Sequence, residues 1–224
     1  MKTVAALIFE GMAPLDLFGP LQVFSAACPP REDDPTKPDT AKPLYKVVFV
    51  AREKGPVATG VNGAGPVVIA DYGIDDKFDF DILLVLGGGG TRALVGDVGF
   101  IDALSDACKR ADVVASVCTG AALLARTNIL DNKAATSNKT AWNWVLTQGE
   151  KVEWDPTPRW VDLIDKKTGK GIIASAGVSA GIDMTLVLVS DLDGEQIAEN
   201  AATFIEHHRI ESPANDKFAY LAFQ

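Results

Sequence analysis

The chain has 224 residues, 47% hydrophobic and 23% charged, which places it among ordinary soluble globular proteins with enough length for one sizeable core. A formal charge of −9 and a pI near 4.7, with no long basic run, argue against nucleic acid or an anionic membrane as partner. One domain over residues 1–224 is expected, with a small ligand.

In chain order, MKTVAALIF reads as a buried first strand, since its apolar run is too short to span a membrane and no small-residue cleavage pattern follows. PLDLFGPLQVFSAA (14–27) reads as a helix with Pro14 in its first turn. CPPREDDPTKPDTAKP (28–43), rich in Pro and charge, is expected to be a mobile surface loop. Strands follow at 44–51, 81–87, 112–117 and 171–177, a Gly-rich hairpin or loop at 57–69, and a hairpin over 160–175 turning at 167–170. Helices are predicted over 99–111, 119–127, 139–148, 179–192 and 194–209, and ESPANDKFAYLAF near the C-terminus as a docking tail. Short β-branched strands alternating with helices imply a parallel sheet covered on both faces.

Cys28, Cys108 and Cys118 are an odd set without CxxC or metal-like spacing, so a reduced, cytoplasmic compartment and no metal site are expected. Cys118, in VVASVCTGAALLAR, falls at the turn between a predicted central strand and a helix. That is the carboxyl edge of the sheet, where open α/β proteins bind ligands. The turn has the shape of a nucleophile elbow without the G-x-S-x-G signature. A helix beginning at Thr119 would turn free N–H groups and its positive dipole end toward the sulfur, favouring a thiolate at neutral pH. Small Gly120, Ala121 and Ala122 would let that helix lie close under the sheet edge. The two histidines, His207 and His208, are far away in sequence, so activation falls to a carboxyl group. Asp16, after the first strand, is the candidate: with a raised pKa it could hold the sulfur's charge and pass a proton to substrate. LGGGGTR (86–92) would bring bare backbone N–H groups beside the elbow. It is neither GxGxxG nor a Walker motif, so no nucleotide is expected.

These residues resemble the ThiJ/PfpI superfamily, and within it the isocyanide hydratase-like branch. PLDLFGPLQVF is similar to the branch's acid-bearing helix, LGGGGTRAL to its Gly-rich loop and SVCTGAALLA to its elbow. NKAATSNKTAW is similar to the following strand and turn, and RWV with ASAGVSAGIDMTL to its late strand–helix unit. The resemblance implies a flavodoxin-like sandwich with Cys118 as nucleophile and Asp16 as its hydrogen-bonding acid. Gly88, Gly89, Thr119 and Gly120 would line the substrate with backbone groups, and Asn138, Gly177 and Asp183 are secondary candidates, Asp183 read as structural. Thr119 stands where protease-like members place His directly after the nucleophile, which weakens a peptidase reading, and Asn138 stands where many relatives carry a His whose role as a base Asn cannot fill. Leu86 stands where the family often has Pro.

The implied activity is hydration of an isocyanide to an N-substituted formamide through a thioimidate on Cys118, without metal or organic cofactor, in a cytoplasmic homodimer acting on a small electrophile. Two alternatives stand beside it. One is a glutathione-independent glyoxalase acting on methylglyoxal-like aldehydes, weakened by the missing His. The other is a redox sensor in which Cys118 becomes a sulfinate. A transcription-regulator effector domain is disfavoured because no helix-turn-helix unit precedes Gln224.

Overall fold

The structure, a computed structural model, describes residues 1–214 and 216–224, so one position of the predicted docking tail, Asn215, lies outside the described residues. Its elements are β1 (Lys2–Leu7), α1 (Pro14–Ala26), β2 (Tyr45–Ala51), β3 (Gly55–Ala58), β4 (Val67–Ala70), β5 (Tyr72–Gly73), β6 (Ile82–Val85), α2 (Thr91–Leu94) and α3 (Val98–Arg110). There follow β7 (Val113–Ser116), α4 (Gly120–Arg126), β8 (Ala134–Ala135), α5 (Trp142–Leu146), β9 (Glu153–Trp154), β10 (Trp160–Asp165), β11 (Lys170–Ser175), α6 (Ala180–Asp193) and α7 (Glu195–Phe204).

A seven-stranded sheet runs β10-β11-β7-β6-β1-β2-β5, parallel throughout except for β10, which pairs antiparallel with β11. All four residues of both β6 (ILLV) and β7 (VVAS) are buried, because helices cover both faces of the central strands. Helices α1, α6 and α7 pack together, as do α2 and α3 on α4. No helix among the described residues is long and apolar enough to cross a membrane.

The Gly-rich stretch at 57–69 closes an antiparallel β3–β4 hairpin, and the 160–175 hairpin forms as β10–β11. Two predicted helices are shorter than the apolar pattern suggests. Over 139–148, the Asn138 side chain accepts from the Thr140 N–H, so the chain opens as a 3₁₀ turn at Lys139–Ala141 before α5. The helix predicted over 194–209 stops at Phe204: Glu206 adopts φ +52°, and the His207 and Glu206 N–H groups bond back to Ala202 O at 2.9 Å and Thr203 O at 3.1 Å. This is a Schellman stop built on a glutamate where glycine is usual. The 28–43 segment has no helix or strand, yet Pro30 bridges Pro38 and the Asn200 side chain donates to Pro35 O at 3.0 Å.

Candidate active site

β1, β6, β7 and β11 all deliver their carboxyl ends to one edge, and the turns that follow build the site. Val117 continues β7, its N–H donating to Val85 O at 3.0 Å, and then Cys118 reverses the chain at φ +58°. That left-handed conformation is costly for a side chain other than Gly, Asn or Asp and is a mark of functional turns. Two bonds hold it: the Cys118 N–H donates to Ala176 O at 3.0 Å, and the Ser137 hydroxyl donates to Cys118 O at 2.7 Å. Gly120 is obligatory beneath the turn, since a Cβ there would sit 2.3 Å from Val85 O. Gly87 is equally constrained, for its Cβ would lie 2.5 Å from the Thr119 nitrogen and 2.8 Å from Cys118 Cβ.

Asp16, in the first turn of α1, is fully buried. Its Oδ2 accepts from the Gly87 N–H at 2.9 Å, while Oδ1 is buried with no hydrogen-bond partner among the described residues. Burial raises its pKa from 3.8 to about 7, opposed by the Gly87 N–H and by the neighbouring Cys118 thiol. Cys118 is 4% exposed, and burial followed by the negative charge of Asp16 pushes its pKa from 9.0 to about 12. The Asn138 amide and the Thr119 N–H and hydroxyl pull it the other way without prevailing.

The expected resting thiolate is therefore corrected. Helix α4 has only seven residues, and its dipole end is outweighed by desolvation and an adjacent carboxylate. Near neutrality Asp16 is about half ionised while the sulfur keeps its proton, and a thiolate arises when that proton passes to the ionised carboxylate. The two groups then titrate as a unit.

Asn138 donates from Nδ2 to Cys118 Sγ at 3.0 Å. Its orientation is fixed because Oδ1 accepts from both the Thr140 N–H (2.8 Å) and hydroxyl (2.6 Å), so only the NH₂ can face sulfur. Its second N–H makes no hydrogen bond among the described residues.

The predicted backbone donors fare unevenly. Thr119 N–H faces the sulfur. The Gly88 N–H is taken by Thr119 Oγ1 at 2.9 Å, and the Gly120 N–H by Val117 O at 2.9 Å, so neither is free to bind substrate. Gly89 is exposed, with open space where a Cβ would stand. Sequence reasoning missed Gly87 and Ser137. The glycine run was visible, but which glycine meets Asp16 depends on where β6 ends.

Gly177 packs on Asn138, a Cβ there coming 3.3 Å from Nδ2. Asp183 is fully buried, salt-bridged to Arg159 (2.8 Å), in hydrogen-bond contact with His207 Nε2 (2.8 Å), and accepting from the Ile210 N–H at 3.1 Å. Trp142 is buried edge-on to Trp154 at 6.2 Å, and half-buried Trp144 carries the Arg92 guanidinium 4.2 Å over its ring. Cys28 and Cys108 are buried free thiols. None of the 28–43 residues lines the cavity next to Asn138.

An open, mostly parallel α/β sheet with a buried cysteine at a left-handed strand–helix corner and a carboxyl beside it defines the class. The chain belongs to the DJ-1/PfpI family, which matches residues 2–191. It is 26% identical over 207 residues to the isonitrile hydratase of Pseudomonas putida, covering 91% of this chain and 78% of that protein. It is 35% identical over 147 residues to an uncharacterized protein in the cpoL 5′ region of Streptomyces lividans, covering 64% of this chain and 90% of that one. The structure of a ThiJ/PfpI family protein from Pseudomonas syringae superposes with a TM-score of 0.74 at 26% identity, over 93% of this chain and 76% of that one. Drosophila melanogaster DJ-1beta shares the fold, with a TM-score of 0.69 at 16% identity over 92% and 98% of the two chains.

Proposed function

We propose that the protein hydrates an isocyanide to the corresponding N-substituted formamide, with Cys118 as nucleophile and Asp16 as proton carrier. The observation that carries the reading is a buried carboxyl whose pKa, pushed up to about 7, lies near working pH beside a buried thiol. The relative in Pseudomonas putida, itself an isonitrile hydratase, supports the same chemistry.

In the reaction the sulfur's proton moves to Asp16 as sulfur bonds the terminal isocyanide carbon. Asp16 returns that proton to the same carbon, leaving the thioimidate R–N=CH–S–Cys118. Water then adds to this carbon, one of its protons reaching nitrogen by way of Asp16, and the C–S bond breaks to release R–NH–CHO and the thiol. Isocyanide plus water equals formamide, with no oxidant or reductant consumed. The unengaged N–H of Asn138 is suited to the substrate nitrogen as charge reorganises. The proposed setting is a cytoplasmic homodimer, whose subunit number sedimentation equilibrium tests.

Purified protein, Cys118→Ala and Asp16→Asn are assayed with alkyl isocyanides and with methylglyoxal. Formamide production by the wild type alone is expected, with a thioimidate adduct on Cys118 in quenched samples. Turnover of methylglyoxal with no formamide overturns the reading in favour of a glyoxalase. Gain of two oxygens at Cys118 under mild peroxide, with neither substrate consumed, overturns it in favour of a redox sensor.

A further inference from the structure

Residues flanking each reacting group meet at one cavity. Leu15 precedes Asp16, Asn138 touches Sγ, and Gly177 follows the residue whose carbonyl holds the Cys118 N–H; all three line a cavity of about 300 Å³. Its remaining apolar walls are Val178 and, from the C-terminal segment, Phe218 and Leu221. The charged groups around it are Arg159, paired with Asp183 at 2.8 Å and lying 3.9 Å from Asp216, and Lys139, which donates to the Thr136 hydroxyl and Pro158 O, while Asp216 also accepts from the Phe218 N–H at 3.2 Å.

The segment carrying Phe218 and Leu221 is attached unevenly. Its start is tied to the body by Ile210 N–H to Asp183 and by Arg159 N–H to Pro213 O (2.8 Å), and the Asp216 N–H bonds Thr157 O at 3.0 Å. Beyond Asp216 the hydrogen bonds of the described residues stay inside the segment, and packing of the Ala219–Phe223 turn against Lys139–Ala141 holds it down. The stretch read from sequence as a docking tail thus also contributes Phe218 and Leu221 to a wall of this chain's own cavity.

We propose that this cavity is the subsite for the substrate's nitrogen substituent, that it selects compact apolar alkyl or aryl groups, and that Leu221 sets the size limit. The proposal rests on the reading of Cys118 as the attacking sulfur. At roughly 30 Å³ per water-sized group the space takes about ten heavy atoms. The two cations, Arg159 and Lys139, are offset by the two carboxylates Asp183 and Asp216, so a charged substituent would enter without an unmatched counter-ion, whereas an apolar one gains by leaving water.

The test compares full-length wild type, Leu221→Ala and Leu221→Trp in two assays. One is the alkylation rate of Cys118 by N-ethylmaleimide and by N-cyclohexylmaleimide, followed by peptide mass mapping. The other is kcat/KM for a small and a bulky alkyl isocyanide. Leu221→Ala is expected to raise the bulky-to-small ratio about tenfold and Leu221→Trp to lower it about as much, as methylene-scale changes in apolar pockets do. Ratios that move less than twofold in both variants overturn the subsite. If the maleimide ratios shift while no isocyanide is consumed, the subsite stands and the hydratase reading falls. Isocyanide turnover with unmoved ratios gives the converse.

Discussion

Replacing Asp16 with Asn should stabilise the protein while disabling it, and the gain should depend on pH in a calculable way. In the unfolded chain the carboxyl ionises near 3.8, whereas in the fold it holds its proton to about 7. Between these values the native state binds the extra proton, so wild-type stability falls as pH rises through this window and levels off above it. At about 1.4 kcal/mol per pKa unit the full penalty is roughly 4 kcal/mol, of which a little over 2 develops between pH 5 and pH 7 and nearly 3 between pH 5 and pH 8. Asparagine keeps an oxygen for the Gly87 N–H and brings a donor to the side where Oδ1 has no partner. It carries no charge to bury. Urea unfolding of both proteins at pH 5 and pH 8 should therefore show the stability advantage of Asp16→Asn larger at pH 8 by about 3 kcal/mol. Formamide production should fall at least about 100-fold, the lower end of general acid–base effects. An advantage that is equal at the two pH values would mean that Asp16 ionises as an ordinary carboxyl, refuting its role as proton carrier.

Three further outcomes are expected. Asn138→Leu removes the donor 3.0 Å from Sγ and should slow iodoacetamide alkylation of Cys118 at pH 8 by about tenfold or more, the scale of a hydrogen bond to a charged group. Gly120→Ala drives a Cβ to 2.3 Å from Val85 O and should lower stability by about 3 kcal/mol or more in urea titration. Asp183→Ala leaves Arg159 with only Asp216, 3.9 Å away, and His207 without its carboxylate, and should cost about 3 kcal/mol in the same titration. Under native conditions it should leave Cys118 alkylation within about twofold of wild type, as befits a group that never meets the sulfur.

The architecture was legible because its signals are local. Buried runs such as ILLV and VVAS have no alternation, as strands covered on both faces require, and α3 buries Phe100, Leu104, Ala107 and Cys108 at steps of three and four. The elbow was legible for a related reason: a cysteine between a β-branched run and a string of Gly and Ala marks a strand meeting a closely packed helix. The end of α7 was not, because its left-handed residue is Glu206, an exposed side chain whose conformation is held by the His207 N–H to Ala202 O bond and by the His207–Asp183 contact.

The order of residues along the chain thus determined the layered α/β frame and the corner at Cys118, since each depends on neighbours within a turn or two, and offered Asp16 as the candidate acid through a motif read whole. Folding alone decided the charge on the sulfur, because burial and the approach of Asp16 from more than a hundred positions away reverse what the short helix would do. It also decided which glycine serves the carboxylate, that Asn138 faces the thiol, and that the C-terminal segment closes the cavity beside it. Desolvation and through-space electrostatics belong to the assembled interior, and no stretch of sequence carries them by itself.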